Sequence, residues 1–584
     1  MGAFFLTREA EPPQLAEQCA LARAQFARHR LPPPREVRLG RCHLLHSSFA
    51  NGGPATFLAS GEDVVAVAGT LTFDGRMGEE ALRRLLEAVE PGRGFDAWDR
   101  IGGHFAALVH KRNETLLFTD YFGAFQLFGD DQQRLFSTSL LSLVGCIPRL
   151  SWDAQGVYEF AFNVFPIGSD TVFREVRRLG PEEQLLLTDE GVRRLATPKP
   201  LATAASDESV DLQVERAAET LHDAAQPFVA QFGQDMDCPL SGGFDSRLVL
   251  GLLRAQGVRP HVYVYGEEGG QDVAIAQAIG RAEGFAVEAV DKWAQPVAPD
   301  AFPEIVERNF QETDALATDG GFFDGGGNGA ARDRRQRGGR LTVSGGCGEV
   351  FRNFFYLPDR PMRARAVVDA FFSTFDPADA TAAFVASDYR AALERKVLQA
   401  LGDPNPEALL PRAAIEQAYP RVRCRAFFGR EISLVGRFGA YFMPFLERSV
   451  VEGAVTLPMR EKAAGRFQAR LIAAIDPALA RHPSAYGHAF DQPPSLSARL
   501  SEAGTRLRPL WLRRHSYRLK RRLGPVDDGH GGLLTPEYLA RVIDLDFPSM
   551  QRFFHPERIT DTGVYRRVAT LEYLAARLGS RVRG

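Results

Sequence analysis

The chain has 584 residues, of which 45 % are hydrophobic and 24 % are charged, and this is the composition of an ordinary globular protein with two or three domains. Its formal net charge of −3 gives no reason to expect a nucleic-acid partner, and no apolar stretch is long enough for a membrane span. Without a recognisable signal peptide, and with six scattered cysteines that lack metal-binding spacing, we expect a cytoplasmic protein whose thiols stay reduced.

Residues 1–200 have the pattern of a β-rich domain. Residues 64–71 form a strand-like apolar run, and residues 105–110 and 115–119 have the pattern of two hairpin strands joined by a polar turn. Residues 196–207 are polar and contain two prolines, which is typical of a linker.

Residues 236–256 carry the clearest signal for chemistry. A short apolar strand ends at Leu240, the loop reads Ser-Gly-Gly-Phe-Asp-Ser, and a helix with leucines at helical spacing follows. Two adjacent glycines let the backbone approach an anion closely, and the start of a helix offers unpaired N–H groups. Asp245 would repel a bare phosphate, which indicates a bridging Mg²⁺ ion. The candidate residues for binding a phosphate-bearing cofactor and its ion are Leu240, Ser241, Gly242, Gly243, Asp245 and Ser246.

Strands and helices alternate around this loop. A helix is predicted over Val210–Phe232, and residues 261–265 and 285–290 are predicted strands separated by a helix that begins near Asp272. This alternation predicts a doubly wound parallel sheet that binds ligands at the carboxyl ends of its strands. The expected organisation is a β-rich domain over residues 1–200, an α/β domain with extra helices over residues 201–500, and a helical extension over residues 501–584 packed on the second domain.

Two stretches are rich in arginine. Residues 320–340 also contain many glycines, which favours a solvated face or a mobile loop, although the same composition would suit a triphosphate or an acidic substrate. Residues 506–522 are a candidate basic amphipathic helix. Such a helix is usually a surface helix whose long side chains cover the core, and otherwise docks a peptide, a membrane surface or an acidic partner.

The loop at residues 241–246 matches the SGGxDS loop of the ATP pyrophosphatases, and most of the chain before residue 500 resembles the asparagine synthetase superfamily. Residues 102–106, 120–123 and 136–139 resemble, in order and spacing, the glutaminase half of that family. The resemblance implies an N-terminal-nucleophile-like sandwich followed by a synthetase domain. Residues 442–458 resemble a packing helix of the family, so Glu447 is expected to be structural.

The resemblance also implies a site for ATP and Mg²⁺. It places Tyr265 beside the adenine, although a core aromatic explains this residue equally well, and it gives Ser344 and Gly345 backbone contacts to ATP. The segment that begins at Ser344 is one residue shorter than in the family, so the expected metal-binding aspartate falls at Gly348 or in the gap. Glu349 is then the carboxylate left to complete a Mg²⁺ site with Asp245, unless it only interacts with a helix dipole.

Two departures from the family bear on its chemistry. The glutaminase needs an N-terminal cysteine, but this sequence starts with Met1, and Ala68 stands where the family has an asparagine, so no glutamine hydrolysis is expected. The family's catalytic lysine is missing from residues 480–490. The candidates to replace it are Arg466, Arg470 and His488.

These features predict an AMP-forming carbon–nitrogen ligase. A glutaminase-like domain without its nucleophile beside an ATP loop is typical of β-lactam synthetases and lasso-peptide cyclases, which adenylate a carboxylate and couple it to an amine. The expected partners are a small-molecule or peptide carboxylate and an amine, together with a precursor peptide or a protease. Two alternatives stay open: an amidotransferase that uses free ammonia or a partner glutaminase, and an inactive scaffold protein.

Overall fold

A computed structural model of the protein describes residues 2–294, 296–315, 322–494, 496–513, 515, 519, 530 and 532–583. Its strands, in chain order, are β1 (Ala3–Thr7), β2 (Arg35–Leu39), β3 (Cys42–Ser47), β4 (Phe57–Ser60), β5 (Asp63–Phe73), β6 (Ile101–Lys111), β7 (Glu114–Thr119), β8 (Phe128–Asp130), β9 (Leu135–Ser137), β10 (Leu150–Ser151), β11 (Val176–Arg178), β12 (Glu183–Leu187), β13 (Val192–Ala196), β14 (Met236–Pro239), β15 (His261–Tyr265), β16 (Val287–Val290), β17 (Leu341–Val343), β18 (Tyr441–Phe442) and β19 (Val582–Arg583).

Helices surround these strands. The α-helices of four or more residues that precede β14 are Pro12–Arg28, Gly78–Ala88, Leu140–Cys146, Ala154–Asn163 and Val210–Phe232. Those that follow β14 are Phe244–Ala255, Gln271–Glu283, Phe302–Glu312, Gly327–Arg335, Ala386–Leu401, Arg412–Glu416, Gly429–Val435, Arg448–Val455, Met459–Lys462, Arg466–Ile475, Pro477–Ala480, Leu496–Leu507, Pro536–Leu539 and Thr562–Leu578. Wider π-helical turns cover Val368–Phe372 and Tyr419–Phe428. In the part of the chain that the structure describes, no helix is long and apolar enough to cross a membrane.

Two six-stranded antiparallel sheets come first along the chain. Their strand orders are β11-β8-β9-β1-β3-β2 and β13-β12-β7-β6-β5-β4. Alternate residues of β5 point to opposite sides: Ala66 and Ala68 join one hydrophobic core, whereas Val65 and Val67 join a second core beneath the helix Gly78–Ala88. Both faces of the second sheet are therefore covered, and the predicted hairpin of β6 and β7 is confirmed.

The third sheet is parallel and has the order β16-β15-β14-β17-β18. Three of its strands were predicted from the sequence, together with the helix Val210–Phe232, whose first turn Ser209 caps by accepting from Leu212 N. Successive strands are added on one side of β14 as far as β16, and the chain then crosses to β17 on the other side. Ligands of open parallel sheets bind at such a reversal of strand order.

The segment expected to be a polar linker contains a fully buried lysine. Lys199 Nζ lies 3.5 Å from the centroid of the Trp98 ring and donates to the carbonyl of Asp120. Burial lowers the pKa of Lys199 to about 7. The antiparallel and parallel regions also meet at Glu447, whose buried carboxylate accepts from Gly103 N at 3.1 Å. Glu447 thus forms part of the junction between the two regions.

The end of the chain returns to the N-terminal region rather than packing only on the second domain. The helix Thr562–Leu578 packs against Ala154–Asn163, and β19 pairs with β10. The predicted basic helix over residues 506–522 is described only in part: a helix covers Leu496–Leu507, and residues 514, 516–518 and 520–522 lie outside the described residues.

Candidate functional site

The loop after β14 lies at the carboxyl edge of the parallel sheet. Ser241 N and Ser241 Oγ both lie 2.9 Å from Ser246 Oγ, and Gly242 N donates to Asp272 Oδ1 at 2.8 Å. Gly243 N donates to Ser241 Oγ at 3.3 Å, just before the helix Phe244–Ala255 begins. Side chains therefore hold the N–H and hydroxyl donors in place at a helix start, where an anion is favoured.

The glycines of this loop allow another loop to pack directly upon it. A Cβ atom at Gly242 would lie 2.9 Å from Ala485 Cβ, and Ala485 N donates to Gly242 O. The ring of Phe244 stacks on Phe490, with centroids 4.1 Å apart. The buried guanidinium of Arg247 fixes this covering loop by donating to the carbonyls of His482 and Pro483, each at 2.8 Å.

A second glycine-rich segment, which follows β17, touches the loop from the other side of the strand-order reversal. Ser344 N donates to Phe442 O, and a Cβ atom at Gly345 would lie 2.9 Å from Ser246 N. A Cβ atom at Gly348 would lie 2.2 Å from Asp245 Oδ1. The position where the family resemblance expects an aspartate therefore has no room for a side chain in this arrangement.

Asp245 and Glu349, the two predicted metal ligands, meet around one guanidinium group. Arg352 Nη2 lies 2.7 Å from Asp245 Oδ2 and 3.6 Å from Glu349 Oε1. Gln468 Nε2 donates to Asp245 Oδ1 at 2.7 Å, and the Tyr419 hydroxyl donates to Glu349 Oε2 at 2.5 Å. The structure thus brings the two carboxylates together and gives each a neutral and a cationic neighbour.

The charges at this site are only partly balanced. Burial raises the pKa of Asp245 to about 6, and Glu349 adds to the rise, whereas Arg352 opposes it. Burial disfavours the Arg352 cation, but Asp245 and Glu349 raise its pKa above the ordinary value. One guanidinium therefore serves two carboxylates, and the pair favours a further positive charge.

The donor set fits Mg²⁺, which prefers carboxylate oxygens and is usually held by one or two of them together with phosphate oxygens. Asp245 and Glu349 come close enough to contact the same nitrogen atom of Arg352. Because Arg352 lies at that point, an ion held by both carboxylates requires the guanidinium to move aside. Within the described ranges no group of three His, Cys, Asp or Glu side chains is arranged for a metal, so the remaining ligands would come from a bound phosphate.

The other predicted site residues lie around this centre. Leu240 N donates to Tyr263 O at 2.8 Å, which aligns the start of the loop with the end of β15. Tyr265, the last residue of β15, is therefore on the strand next to Ser241. Its hydroxyl oxygen is buried and has no hydrogen-bond partner among the described residues.

None of the candidates to replace the missing lysine contacts the carboxylate pair in the described part of the chain. Arg466 donates to the carbonyl of Ala463, Arg470 pairs with the exposed Asp211, and His488 contacts the carbonyl of Tyr486. The cation at the site is Arg352, which the sequence analysis missed although it directly follows Phe351 of the matched segment. Gln468 and Tyr419, also missed, come from distant helices without a local sequence signal.

The thiols near the chain start are unsuited to nucleophilic catalysis. Cys19 and Cys42 are both buried, and burial raises the pKa of each, that of Cys42 to about 11. The thiolate, which is the reactive form, is therefore scarce at neutral pH. Ala68, in the middle of β5, is also buried and offers no polar group.

Comparisons with known proteins identify no family. No protein family model and no curated protein matches the chain. A solved structure of glutamine phosphoribosylpyrophosphate amidotransferase from B. subtilis, complexed with ADP and GMP, aligns with a TM-score of 0.23 and 12 % identity; the alignment covers 50 % of this chain and 66 % of that one. A structure described as the allosteric regulatory enzyme of purine biosynthesis aligns with a TM-score of 0.22 and 11 % identity over 51 % of this chain and 82 % of that one. Likenesses this low carry no inference about activity.

Proposed function

We propose that this protein is an ATP- and Mg²⁺-dependent ligase that adenylates a carboxylic acid and couples it to an amine, releasing pyrophosphate and AMP. The observation that carries the proposal is the meeting of two glycine-rich segments, residues 241–246 and 344–349, at the strand-order reversal, with Asp245 and Glu349 side by side. The same proposal assigns the antiparallel sheets to a glutaminase-like sandwich and the parallel sheet to an asparagine-synthetase-like domain.

In this proposal the loop binds the phosphates that leave. The amides of Gly242 and Gly243 and the hydroxyls of Ser241 and Ser246 exchange their internal partners for phosphate oxygens. Asp245 and Glu349 would hold Mg²⁺, which supplies positive charge for the leaving pyrophosphate.

The reaction itself has two steps. A substrate carboxylate oxygen bonds to the α-phosphorus as the bond from that phosphorus to the bridging oxygen breaks, and pyrophosphate leaves. The amine nitrogen then bonds to the acyl carbon as the bond from that carbon to the former carboxylate oxygen breaks. AMP leaves with this oxygen, and the amine loses one proton to solvent. A pre-bound amine makes an ammonia supply unnecessary, which suits the buried state of Cys19 and Cys42.

The direct test is acid-dependent exchange of labelled pyrophosphate into ATP, measured over a panel of carboxylic acids. We expect exchange with at least one acid, and AMP rather than ADP as the product when an amine is added. Formation of ADP and phosphate would contradict the proposal. Glutamate release from glutamine above a control without enzyme would contradict the absence of glutaminase activity.

One observation favours a second candidate function, an inactive scaffold. Arg352 lies at the point where the two carboxylates would hold the ion, and a guanidinium that never leaves would prevent metal binding. Calorimetric titration with magnesium and a non-hydrolysable ATP analogue separates the candidates. The ligase is expected to bind the analogue more tightly with magnesium than without it, whereas the scaffold shows no dependence on the ion.

A further inference from the structure

A cluster of basic side chains, referred to below as the basic cleft, lies beside the phosphate loop at the same edge of the parallel sheet. It is formed by Tyr265 at the end of β15, by Lys292 just after β16, and by Arg332 and Arg335 of the helix Gly327–Arg335. All four residues are partly exposed to solvent. The sequence pattern favoured a solvated face or a mobile loop for these arginines, but they belong to a helix that packs against the sheet.

Two of the cations lie close to an aromatic surface. Lys292 Nζ is 3.5 Å from the centroid of the Tyr265 ring, and Arg335 Cζ is 5.5 Å from the same centroid. Arg335 Nη1 donates to the Tyr263 hydroxyl at 2.9 Å, and the two tyrosine rings lie 5.2 Å apart. These contacts hold the cations in place without neutralising them.

The cleft contains more positive than negative charge. Arg332 is paired with Glu431 through two contacts of 3.2 and 2.8 Å. Neither Lys292 nor Arg335 forms an ion pair with a carboxylate of the described residues. Burial, together with the neighbouring charges of Arg335 and Arg332, lowers the pKa of Lys292 to about 8. Glu431 acts as a counter-charge to all three cations, so three partly desolvated positive charges share this carboxylate. A bound anion would lower the cost of holding the excess positive charge away from water.

Two further features indicate a preorganised binding site. The Tyr265 hydroxyl is a buried donor that lacks a hydrogen-bond partner among the described residues. A Cβ atom at Gly327 would lie 2.2 Å from the carbonyl oxygen of Lys292, so the helix that carries both arginines packs tightly against the lysine backbone. The backbone therefore fixes the separation of Lys292 from Arg332 and Arg335.

A comparison of the lysines of this chain also points to Lys292. The sequence has six lysines among 70 basic residues. Of the five that the structure describes, Lys111 and Lys199 donate to carbonyl groups, and Lys396 and Lys462 form ion pairs. Lys292 is the one described lysine whose ammonium group forms neither a hydrogen bond nor an ion pair with another residue in the described ranges.

We propose that the basic cleft binds a second anionic group of the acid substrate, so that the acid carries a carboxylate or phosphate besides the carboxylate that is adenylated. This inference rests on the proposed ligase function. The cleft lies over β15 and β16, about 5–10 Å from the phosphate loop over β14 at ordinary strand spacing. That separation suits the two ends of one small substrate. The phosphates of ATP are the other source of such an oxyanion, and the experiments below distinguish the two.

The first experiment requires no catalytic activity. Pyridoxal 5′-phosphate, which joins a phosphate to an amine-reactive aldehyde, is added and trapped with borohydride, and the modified lysines are identified by mass spectrometry. We expect Lys292 to react first, at least about tenfold faster than with pyridoxal, which lacks the phosphate. Glutarate should protect Lys292, whereas its monoamide and a non-hydrolysable ATP analogue should not. Equal labelling by both aldehydes, or protection by the ATP analogue alone, would overturn the proposal.

The second experiment uses Lys292→Met and Arg335→Met, which keep the aliphatic length and remove the charge. Arg337→Met is the matched control, because this exposed arginine follows the same helix and contacts Asp333. In pyrophosphate exchange, the cleft variants should raise the half-saturating concentration of a dicarboxylic acid at least about tenfold and leave those of its monoamide and of ATP unchanged. A rise for ATP alone would assign the cleft to the nucleotide and overturn the inference. If no acid supports exchange, the ligase function fails, while the labelling experiment still tests the cleft.

Discussion

Asp245 at the candidate site and Asp314 at the junction of the antiparallel and parallel regions are both removed from bulk water, but in opposite electrostatic settings. The Asp314 side chain is fully buried, and it accepts hydrogen bonds from Leu140 N, Leu141 N and Ser139 Oγ. The Asp245 side chain is 23 % exposed and shares its one arginine with Glu349.

The difference appears in the pKa values. Burial acts to raise the pKa of Asp314, but Arg437, at 3.1 Å, and Arg430 hold it down at about 2. Burial raises the pKa of Asp245 to about 6; Arg352 acts against this rise, and the repulsion from Glu349 adds to it. An aspartate with a full set of partners stabilises the fold, whereas an aspartate short of positive charge is typical of a site that receives a ligand.

The largest expected effect on stability is that of Asp314→Asn. The substitution keeps the size of the side chain but leaves Arg430 and Arg437 without their buried counter-charge, so the free energy of unfolding should fall by about 3–5 kcal/mol. Urea denaturation measures the change, with the exposed Asp211→Asn as the control. A loss below about 1 kcal/mol would mean that the junction carries no special stability, and the contrast with Asp245 would disappear.

Asp245→Asn should lower the activity without lowering the stability. Pyrophosphate exchange should fall about 10²–10³-fold, because the carboxylate is needed to hold Mg²⁺ and this ion stabilises the negative charge that develops on the leaving group. The free energy of unfolding should stay the same or rise slightly, because the ionised carboxylate is held at a cost. Exchange at the wild-type rate would refute the metal role, and a large loss of stability would make Asp245 a structural residue like Asp314.

The pH dependence of stability should differ in sign between the two aspartates. The folded pKa of Asp245, about 6, lies above the ordinary value of 3.8, so its contribution is fully present below about pH 4 and is lost as the pH rises through 6. The folded pKa of Asp314 is lowered to about 2, so its contribution is present above about pH 4 and is lost as the pH falls through 2. The free energy of unfolding of the wild type minus that of Asp245→Asn can be measured by urea denaturation at pH 4.5, 6 and 7.5. This difference should fall by about 1–2 kcal/mol with rising pH. A flat curve would contradict the assignment.

The smallest expected effect concerns Glu349→Gln, which still accepts from Tyr419 but lacks the charge. We expect the magnesium concentration for half-maximal exchange to rise several-fold in this variant. In the companion variant Arg352→Met the same concentration should fall, because the guanidinium no longer competes with the ion. A pure helix-dipole role for Glu349 predicts instead a loss of about 0.3–1 kcal/mol in stability with an unchanged magnesium titration. Both quantities are measured on the same protein preparation.

The sequence was sufficient for features that are local in the chain. The apolar runs and the turn glycines predict β14, β15 and β16 and place Asp245 in its loop. Glu349 follows from its position just after β17. Arg352 also contacts Glu349 three residues before it. The contacts of Arg352 and Gln468 with Asp245 and of Tyr419 with Glu349 span 70 to 223 residues of chain, and no local pattern encodes them. The local composition predicted a solvated Arg335. Its hydrogen-bond partner, Tyr263, lies 72 residues earlier and could not be recognised from that local pattern.

The tight contact between Gly348 and Asp245 also bears on how this sequence can evolve. In a lineage that once had an acid at position 348, replacement by glycine would have allowed Asp245 to move into the freed space, where its Oδ1 atom now lies 2.2 Å from the place of a Cβ atom. Restoring the acid by one substitution would then produce a clash rather than a metal ligand. The effects of changes at two such neighbouring positions depend on each other, so the order in which they occur decides which are tolerated. Reversal would therefore require the Asp245 side chain or the backbone of residues 344–348 to shift before an acid at position 348 could be accommodated.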